Sequence, residues 1–339
     1  MKLLSVVVPV YNTEVWLRRC LDSVLLPEAL GVLELILVND GSTDGSGAIL
    51  RDYARRYPES VVLIEQENGG HGAAVNAGLK AAAGVYFRVL DSDDWLDSPG
   101  LRRFLQALPD CAEDALVTPY SQEYVSDGRE ILYDYPQFEA GRVYAADELP
   151  SGPGLQYLTL ASACYRTELL RRCGLQLFEN CSYVDMQYNT IPIPRLRSLR
   201  FLDIPLYRYM IGRSGQSMEK SRLLRKLPEH QRVLLSMVSF YAAQRERTTP
   251  AARAYLAQMI LYMYYTHVHL IHAELPGRLA AFRMLRDFEA QVRALSPELY
   301  QKAAALDTLR LSRALGYGDL LLLRRAVPAA FRAARRLRA

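Results

Sequence analysis

The sequence predicts an α/β fold with a mostly parallel central sheet, followed by a mainly helical C-terminal region. Strand-like and helix-like segments alternate four times in the first 90 residues, which is typical of a parallel sheet covered by helices. A polar or glycine-rich motif follows each of these strands. From about residue 218 the pattern is helical and rich in Leu, Ala, Arg and Tyr. We therefore expect two domains, residues 1–217 and 218–339.

The first strand is predicted over residues 3–10, because a dense β-branched run is typical of a strand buried on both faces. A helix follows, capped by Asn12 or Thr13, with Glu14 in its first turn. Three further buried strands are predicted at 33–39, 61–65 and 85–90. A helix over residues 73–82 connects the last two.

The middle of the chain, from about 115 to 215, has a mixed pattern. Residues 117–124 and 130–135 flank Asp127-Gly128, a dipeptide that favours a hairpin turn. A helix is predicted over residues 167–173.

Composition excludes the disordered and collagen-like classes of protein. Half of the residues are hydrophobic and 23% are charged, as in an ordinary soluble globular protein, and the net charge is only +4. Residues 307–339 hold eight Arg against two Asp. A nucleic-acid binder usually carries its basic patch on the reading face of a domain, so no nucleic-acid partner is expected. The basic tail, residues 320–339, leaves two interpretations open: a helix on an anionic membrane surface near a lipid-linked acceptor, or a solvated or domain-packing helix.

The five cysteines predict a cytoplasmic protein. Their number is odd and no C-x-x-C pair occurs, so neither a zinc site nor a disulfide framework is indicated. No window reaches the roughly 18 apolar residues of a spanning helix. The apolar run at the N-terminus contains Pro9 and lacks a cleavage pattern, which favours a strand over a signal peptide. Contact with the inner face of the plasma membrane would then be peripheral.

The strongest chemical signal is the acidic cluster after the fourth strand. Asp91, Asp93 and Asp94 lie within four residues and would repel one another unless a hard divalent cation lay among them, since Mg²⁺ and Mn²⁺ prefer oxygen ligands. A solvated turn in which Asp94 caps a helix is the alternative. Asp40 also ends a strand, where its carboxylate would accept hydrogen bonds from a base or ribose, or cap the next helix.

The glycines do not indicate a dinucleotide site or a P-loop. Gly69, Gly70 and Gly72 lack the G-x-G-x-x-G spacing, and no G-x-x-x-x-G-K-[ST] occurs. This loop would still allow a ligand to approach the backbone closely.

Three runs carry a family resemblance: SVVVPVYNTEVWLRRCLDSVL, LILVNDGSTDGS and ENGGHGAAVNAGLKAAAGVYFRVLDSDDW. Together they resemble the N-terminal half of a family 2 glycosyltransferase with the GT-A fold. The resemblance covers residues 3–100 closely, thins from about 115 to 217, and does not extend to the last third.

The resemblance implies a nucleotide-sugar donor, a divalent cation (Mn²⁺ or Mg²⁺) and an inverting reaction. Asp93 matches the acid that holds the metal. Arg213 lies in a segment, 208–218, that resembles the one closing over the diphosphate; an ordinary surface arginine is the alternative. The full set of candidate donor-binding residues is Pro9, Tyr11, Glu14, Asp40, Asn68, Gly70, Asn76, Asp91, Ser92 and Arg213.

The general base is implied to lie in a Glu-Asp pair about 90 residues after the acidic cluster. In this chain the Glu is replaced by Val184, a departure from the family pattern, while Asp185 is present. We assign the base to Asp185, with Glu179 as the fallback; a helix N-terminal acid is the alternative interpretation of Asp185.

The expected function is therefore transfer of a sugar, with a UDP-sugar favoured, to a saccharide or lipid-linked acceptor in the synthesis of a cell-surface polysaccharide, teichoic-acid-like polymer or glycolipid. The alternative is a catalytically degenerate scaffold that kept the nucleotide fold. A sugar-nucleotide pyrophosphorylase is a weaker alternative, because it would need a glycine-rich, basic N-terminal loop, whereas residues 8–12 are VPVYN.

Overall fold

A computed structural model describes residues 1–152, 155–212, 224–274, 278–314 and 316–317. The chain divides into two compact units. The sheet unit comprises Met1–Gln216 with Arg247–Ala252, and the helical unit comprises Ser217–Glu246 with Arg253–Ala339. We keep the boundary between residues 217 and 218 as a proposal for the division into domains.

The sheet unit has a large mixed sheet and a small one. Its strands are β1 (Leu4–Val10), β2 (Leu33–Asp40), β3 (Val61–Gln66), β4 (Tyr86–Val89), β5 (Trp95–Leu96), β6 (Ala115–Val117), β7 (Tyr120–Tyr124), β8 (Glu130–Tyr133), β9 (Val143–Ala145), β10 (Ala163–Arg166), β11 (Ser198–Phe201) and β12 (Tyr207–Ile211). The large sheet has the order β3-β2-β1-β4-β10-β6-β11-β9, and the small one β5-β12-β7-β8. Strands β1 to β4 pair in parallel, and β10 runs antiparallel to both of its neighbours.

The core of the large sheet lies at β1 and β2. Every residue of both strands is buried, as expected of central strands covered on both faces. Their register pairs Leu4 with Leu33 and Val10 with Asn39. The two strands therefore end side by side, and the loops that follow them share one edge of the sheet.

Helices pack against the large sheet within the sheet unit, and further helices form the helical unit. Those of the first 212 residues are α1 (Glu14–Val24), α2 (Ser46–Arg56), α3 (Gly70–Ala81), α4 (Ser98–Ala107), α5 (Thr167–Arg172) and α6 (Asp185–Thr190). Those after residue 224 are α7 (Leu227–Ala243), α8 (Pro250–His269), α9 (Arg278–Leu295), α10 (Pro297–Lys302) and α11 (Asp307–Ala314). Helix α9 buries Ala281, Leu285, Phe288 and Val292, a spacing that puts them on one face. Among the described helices, none is long and apolar enough to span a membrane.

Two sequence predictions need correction. The strand predicted over 117–124 is two strands, β6 and β7, in different sheets; Pro119 lies between them, where a residue without an N–H cannot continue the ladder. Neither Asn12 nor Thr13 caps α1 with its side chain. Thr13 instead donates its hydroxyl hydrogen to Ser92 Oγ at 3.0 Å.

Candidate active site

The carboxyl edge of the parallel strands brings the polar motifs together. The loop that begins at Tyr11 follows β1, and Asp40 ends β2. Strand β4 lies on the other side of β1 and leads into residues 91–94, which we call the acidic loop. Ligands of open α/β sheets bind beyond this edge. The described candidate residues of these loops, such as Tyr11, Asp40, Asp91 and Asp93, therefore lie along one edge of the sheet.

Asp40 organises the glycine-rich loop. Its carboxylate is 2% exposed and accepts hydrogen bonds from Gln66 Nε2 at 2.8 Å, Gly69 N at 2.9 Å and Gly70 N at 2.8 Å. These bonds satisfy backbone donors at the start of α3. Helix α3 consequently begins at Gly70, three residues before the predicted start at residue 73. Direct contact of Asp40 with a nucleobase stays a prediction.

Gly70 is constrained by the segment that leads to Asp185. Its φ of +81° lies in the left-handed region, and a Cβ there would meet Asn180 N at 3.3 Å. The Asn180 N–H also donates to Gly69 O at 2.6 Å. The glycine-rich loop and this segment are thus held against each other by backbone contacts.

The acidic loop is fixed by a tyrosine from the small sheet. The Tyr207 hydroxyl donates to Asp94 Oδ2 at 2.6 Å and accepts from Asp91 N at 3.2 Å. Asp94 also accepts from Met210 N at 2.9 Å and is 1% exposed. Asp94 is therefore a buried structural acid rather than a helix cap, and Asp97 caps α4. Burial raises the pKa of the Asp94 carboxyl well above its usual range, and the charges of Asp93 and Asp91 add to this effect.

Asp91 and Asp93 remain partly exposed, whereas Ser92 is 4% exposed and bonded to Thr13. Asp91 Oδ1 lies 2.9 Å from His71 Nε2. Burial lowers the pKa of His71, but the hydrogen bond and charge of Asp91, together with Asp185 and Asp93, outweigh it and raise the pKa. His71 is thus the group that joins the acidic loop electrostatically to Asp185.

Asp185 begins α6 after a constrained segment. Asn76 pairs with the Leu177 backbone through two bonds of 2.9 Å, which ties this segment to α3. Asn180 and Tyr183 have positive φ values of 50° and 65°, a conformation that costs non-glycine residues about 1–2 kcal/mol each. Such strain concentrates at functional sites.

Asp185 is exposed to solvent. Partial loss of hydration beside the neighbouring protein raises the pKa of its carboxyl above the usual range; the charge of His71 opposes the rise and that of Asp91 adds to it. A carboxyl with a raised pKa is a stronger base than an ordinary aspartate.

The remaining predicted donor-binding residues differ in their exposure. Tyr11 is 51% exposed, which leaves its ring accessible to a ligand. Glu14 accepts from Gly45 N, and the exposed Asn68 donates its Nδ2 to Asp40 O at 2.9 Å. Pro9 is buried within β1. Arg213 lies outside the described residues.

The residues of the acidic loop are suited to a divalent cation that is coordinated jointly by the protein and a bound ligand. In the described ranges, no group of three or more His, Cys, Asp or Glu side chains could hold a metal alone. Mg²⁺ and Mn²⁺ bound with substrate phosphates need only one or two protein carboxylates, the rest of the shell being phosphate oxygens and water. The partly exposed Asp93, next to Asp91, meets that requirement.

Sequence reasoning missed Tyr207 and the structural role of Asp94. The two residues are 113 positions apart, and nothing in the run LYRYMI distinguishes Tyr207 from its neighbour Tyr209. Only the pairing of β12 with β5 brings Arg208 beside Trp95 and Tyr207 beside Leu96, next to the acidic loop.

Comparison with known proteins yields a family and a fold. The model of the family described as Glycosyl transferase family 2 matches residues 5–174, half of the chain. The "Uncharacterized glycosyltransferase EpsJ" of Bacillus subtilis is 34% identical over 213 residues, which cover 61% of this chain and 60% of that protein. The Poly(ribitol-phosphate) beta-glucosyltransferase of Bacillus spizizenii is 42% identical over 106 residues, 30% of this chain and 16% of that protein. The chain thus matches less than two thirds of either relative.

Among solved structures, S. aureus TarS 1-349 in complex with UDP-GlcNAc matches with a TM-score of 0.64 at 20% sequence identity. The match covers 93% of this chain and 92% of that one. At this identity the likeness shows the fold alone. It confirms the predicted α/β class of the GT-A type with a helical C-terminal region.

Proposed function

Because this chain belongs to glycosyl transferase family 2, we propose that it is an inverting glycosyltransferase that moves a sugar from a nucleotide diphosphate to an acceptor hydroxyl. One observation carries the proposal. Tyr207 holds the acidic loop at the carboxyl edge of the parallel sheet, and His71 bonds to that loop while its charge acts on Asp185. The residues proposed to bind the donor phosphates and the proposed base thus lie near one another, which supports the proposal.

The donor nucleotide binds, in this proposal, along the ends of β1 and β2. Tyr11 offers an exposed ring to the base, and Asp40 fixes the loop whose backbone passes the nucleotide. Asp93, with Asp91 beside it, would hold Mn²⁺ or Mg²⁺. When bound, such a cation supplies positive charge that offsets the charge of the departing diphosphate.

Asp185 acts as the general base. The acceptor oxygen attacks the anomeric carbon from the face opposite the diphosphate, and its proton passes to the Asp185 carboxylate. The new C–O bond forms as the bond to the diphosphate breaks, so the configuration inverts without a covalent sugar–enzyme intermediate. The raised pKa of Asp185 supports this role. It also predicts that turnover falls with decreasing pH at a higher pH than an unperturbed aspartate would require.

Donor and acceptor are proposed from the neighbours. A UDP-sugar is favoured because TarS, the structural neighbour, was solved with UDP-GlcNAc. An acceptor in a phosphate-containing cell-surface polymer is favoured because one relative is a poly(ribitol-phosphate) glucosyltransferase. We place the reaction in the cytoplasm. Peripheral contact of the basic tail with the membrane concerns residues 320–339, which lie outside the described residues.

The test is turnover of UDP-sugars by the full chain with Mn²⁺ and a polyol phosphate acceptor, measured as UDP release and glycosylated product. We expect Asp185→Asn to lower kcat by about 10²–10⁴-fold while UDP binding is unchanged, because the substitution removes a base and no donor contact.

The matched control is Glu179→Gln, which makes the same carboxylate-to-amide change at an exposed position of the same segment. It should retain full turnover. Full activity of Asp185→Asn would refute the base assignment, and loss of activity in Glu179→Gln alone would move that role to Glu179. A chain that binds UDP but turns over no sugar nucleotide would support the degenerate scaffold instead.

A further inference from the structure

The helical unit contains a cavity of about 550 Å³ that the proposed chemistry does not use. Its charged and aromatic lining comes from three helices and the residues after them: Arg286, Glu289, Arg293, Tyr300, Arg313 and Tyr317. Three arginines against one glutamate give this lining a net charge of +2. The cavity therefore favours an anionic ligand.

A buried carboxylate forms part of the cavity wall. Glu289 is 1% exposed, and its Oε2 accepts from Arg313 Nε at 2.6 Å and from the Tyr317 hydroxyl at 3.3 Å. Among the described residues, its other oxygen, Oε1, has no hydrogen-bond partner. Buried polar atoms are nearly always paired. A ligand hydroxyl that donates to Oε1 would complete the pairing.

The arginines differ in how far they are already engaged. The Arg313 guanidinium is bound to Glu289 and lies over the Tyr300 ring, 3.6 Å from its centroid. Arg286 is exposed and shares its charge with Asp287 at 2.8 Å. Arg293 is exposed, and with the residues that the structure describes it forms no ion pair. Arg313 is therefore part of the cavity wall, whereas Arg286 and Arg293 have N–H donors available to a ligand.

Helical spacing puts Arg286, Arg293 and Glu289 on one side of α9. Residues 286, 289 and 293 are separated by three and four positions, which places their side chains on the same face. Guanidinium groups bind phosphate oxygens through paired N–H donors. The cavity accordingly combines donors for a phosphate at its exposed part with a buried acceptor for a hydroxyl.

We propose that this cavity binds a polyol phosphate unit of the acceptor polymer, with the phosphate at Arg286 and Arg293 and a polyol hydroxyl at Glu289 Oε1. The inference rests on the proposed function for its choice of polymer. Its ligand chemistry rests on the cavity alone. In this proposal, the helical unit binds a segment of the acceptor polymer.

The test is calorimetric binding to the full chain without any donor nucleotide, so its failure is separable from failure of the transferase activity. The probes are glycerol 3-phosphate, a poly(glycerol phosphate) oligomer, inorganic phosphate and glycerol. We expect the two polyol phosphates to bind. Inorganic phosphate should bind about tenfold more weakly because it cannot reach Glu289 with a polyol hydroxyl, and glycerol alone should not bind measurably.

Arg293→Glu should weaken binding of both polyol phosphates by at least about tenfold. Arg283→Glu, which makes the same charge change at an exposed residue of α9 outside the cavity lining, should not. Glu289→Gln, with folding checked by its melting transition, should abolish the preference for glycerol 3-phosphate over inorganic phosphate. The proposal is overturned if polyol phosphates do not bind, or if Arg283→Glu weakens them as much as Arg293→Glu. Equal binding of inorganic phosphate and glycerol 3-phosphate to the unmodified chain would overturn the polyol assignment.

Discussion

The two units of this chain assemble their polar groups in different ways. In the sheet unit, each candidate residue follows a strand, and parallel pairing brings the strand ends to one edge. In the helical unit, the cavity residues lie on helices α9 to α11 and just beyond, one or two per turn. Polar candidate residues at strand ends therefore lie next to one another in the sequence, as in DSDD, whereas those on helices are separated by apolar residues.

The units also differ in how their buried acids are satisfied. Both oxygens of Asp40 accept hydrogen bonds, and so do both oxygens of Asp94. Glu289 in the helical unit has one paired and one unpaired oxygen. Fully paired buried acids indicate a structural role in holding loops, whereas the unpaired oxygen of Glu289 is the acceptor that the proposed ligand would use.

The largest effect on stability should come from Asp40→Ala. The substitution leaves the N–H groups of Gly69 and Gly70 and the amide of Gln66 without their acceptor, so we expect the free energy of unfolding to fall by about 3 kcal/mol. Chemical denaturation would measure it. Asp52→Ala, which removes a carboxylate paired with arginines on the surface of α2, should change stability by less than about 0.5 kcal/mol. Equal losses of stability in the two variants would contradict the distinction between structural and surface acids.

A smaller effect is expected of Tyr207→Phe. Loss of the hydroxyl leaves Asp94 Oδ2 and the Asp91 N–H unpaired, which should lower the free energy of unfolding by about 1–2 kcal/mol. Because the acidic loop is then less well placed, KM for the donor should rise more than kcat falls. The control is Tyr57→Phe, whose exposed hydroxyl lies 3.5 Å from Arg56 Nη2. A Tyr207→Phe enzyme with unchanged donor KM would show that the tyrosine supports the fold but not the loop.

Much of the sheet unit could be predicted because its signals are local. Buried strands such as β1 and β2 appear as β-branched runs, and the loops after them carry glycine and aspartate. The start of α3 was misplaced because its backbone donors are paired by Asp40, about 30 positions away. Similarly, the contact between Asn76 and Leu177 spans 101 positions. Contacts over such distances depend on topology, which periodicity does not encode.

For the helical unit, the sequence predicts helical structure but does not identify the cavity. Arg286, Glu289 and Arg293 have the spacing of any solvated helix face, and the sequence does not distinguish the buried Glu289 from an exposed acid. Its burial follows from Arg313 on α11, which is 24 positions away. Such a cluster has no short sequence motif comparable to DSDD at residues 91–94.

The most direct test of the central claim, that the acidic loop binds a nucleotide diphosphate through a divalent cation, is calorimetric titration of UDP with and without Mn²⁺. The unmodified chain and Asp52→Ala should bind UDP more tightly when Mn²⁺ is present, and Asp93→Ala should lose that dependence. Preference for GDP would keep the enzyme class and change the donor. If no nucleoside diphosphate binds in the presence of Mn²⁺, or if Asp93→Ala responds to Mn²⁺ as the unmodified chain does, the claim is contradicted.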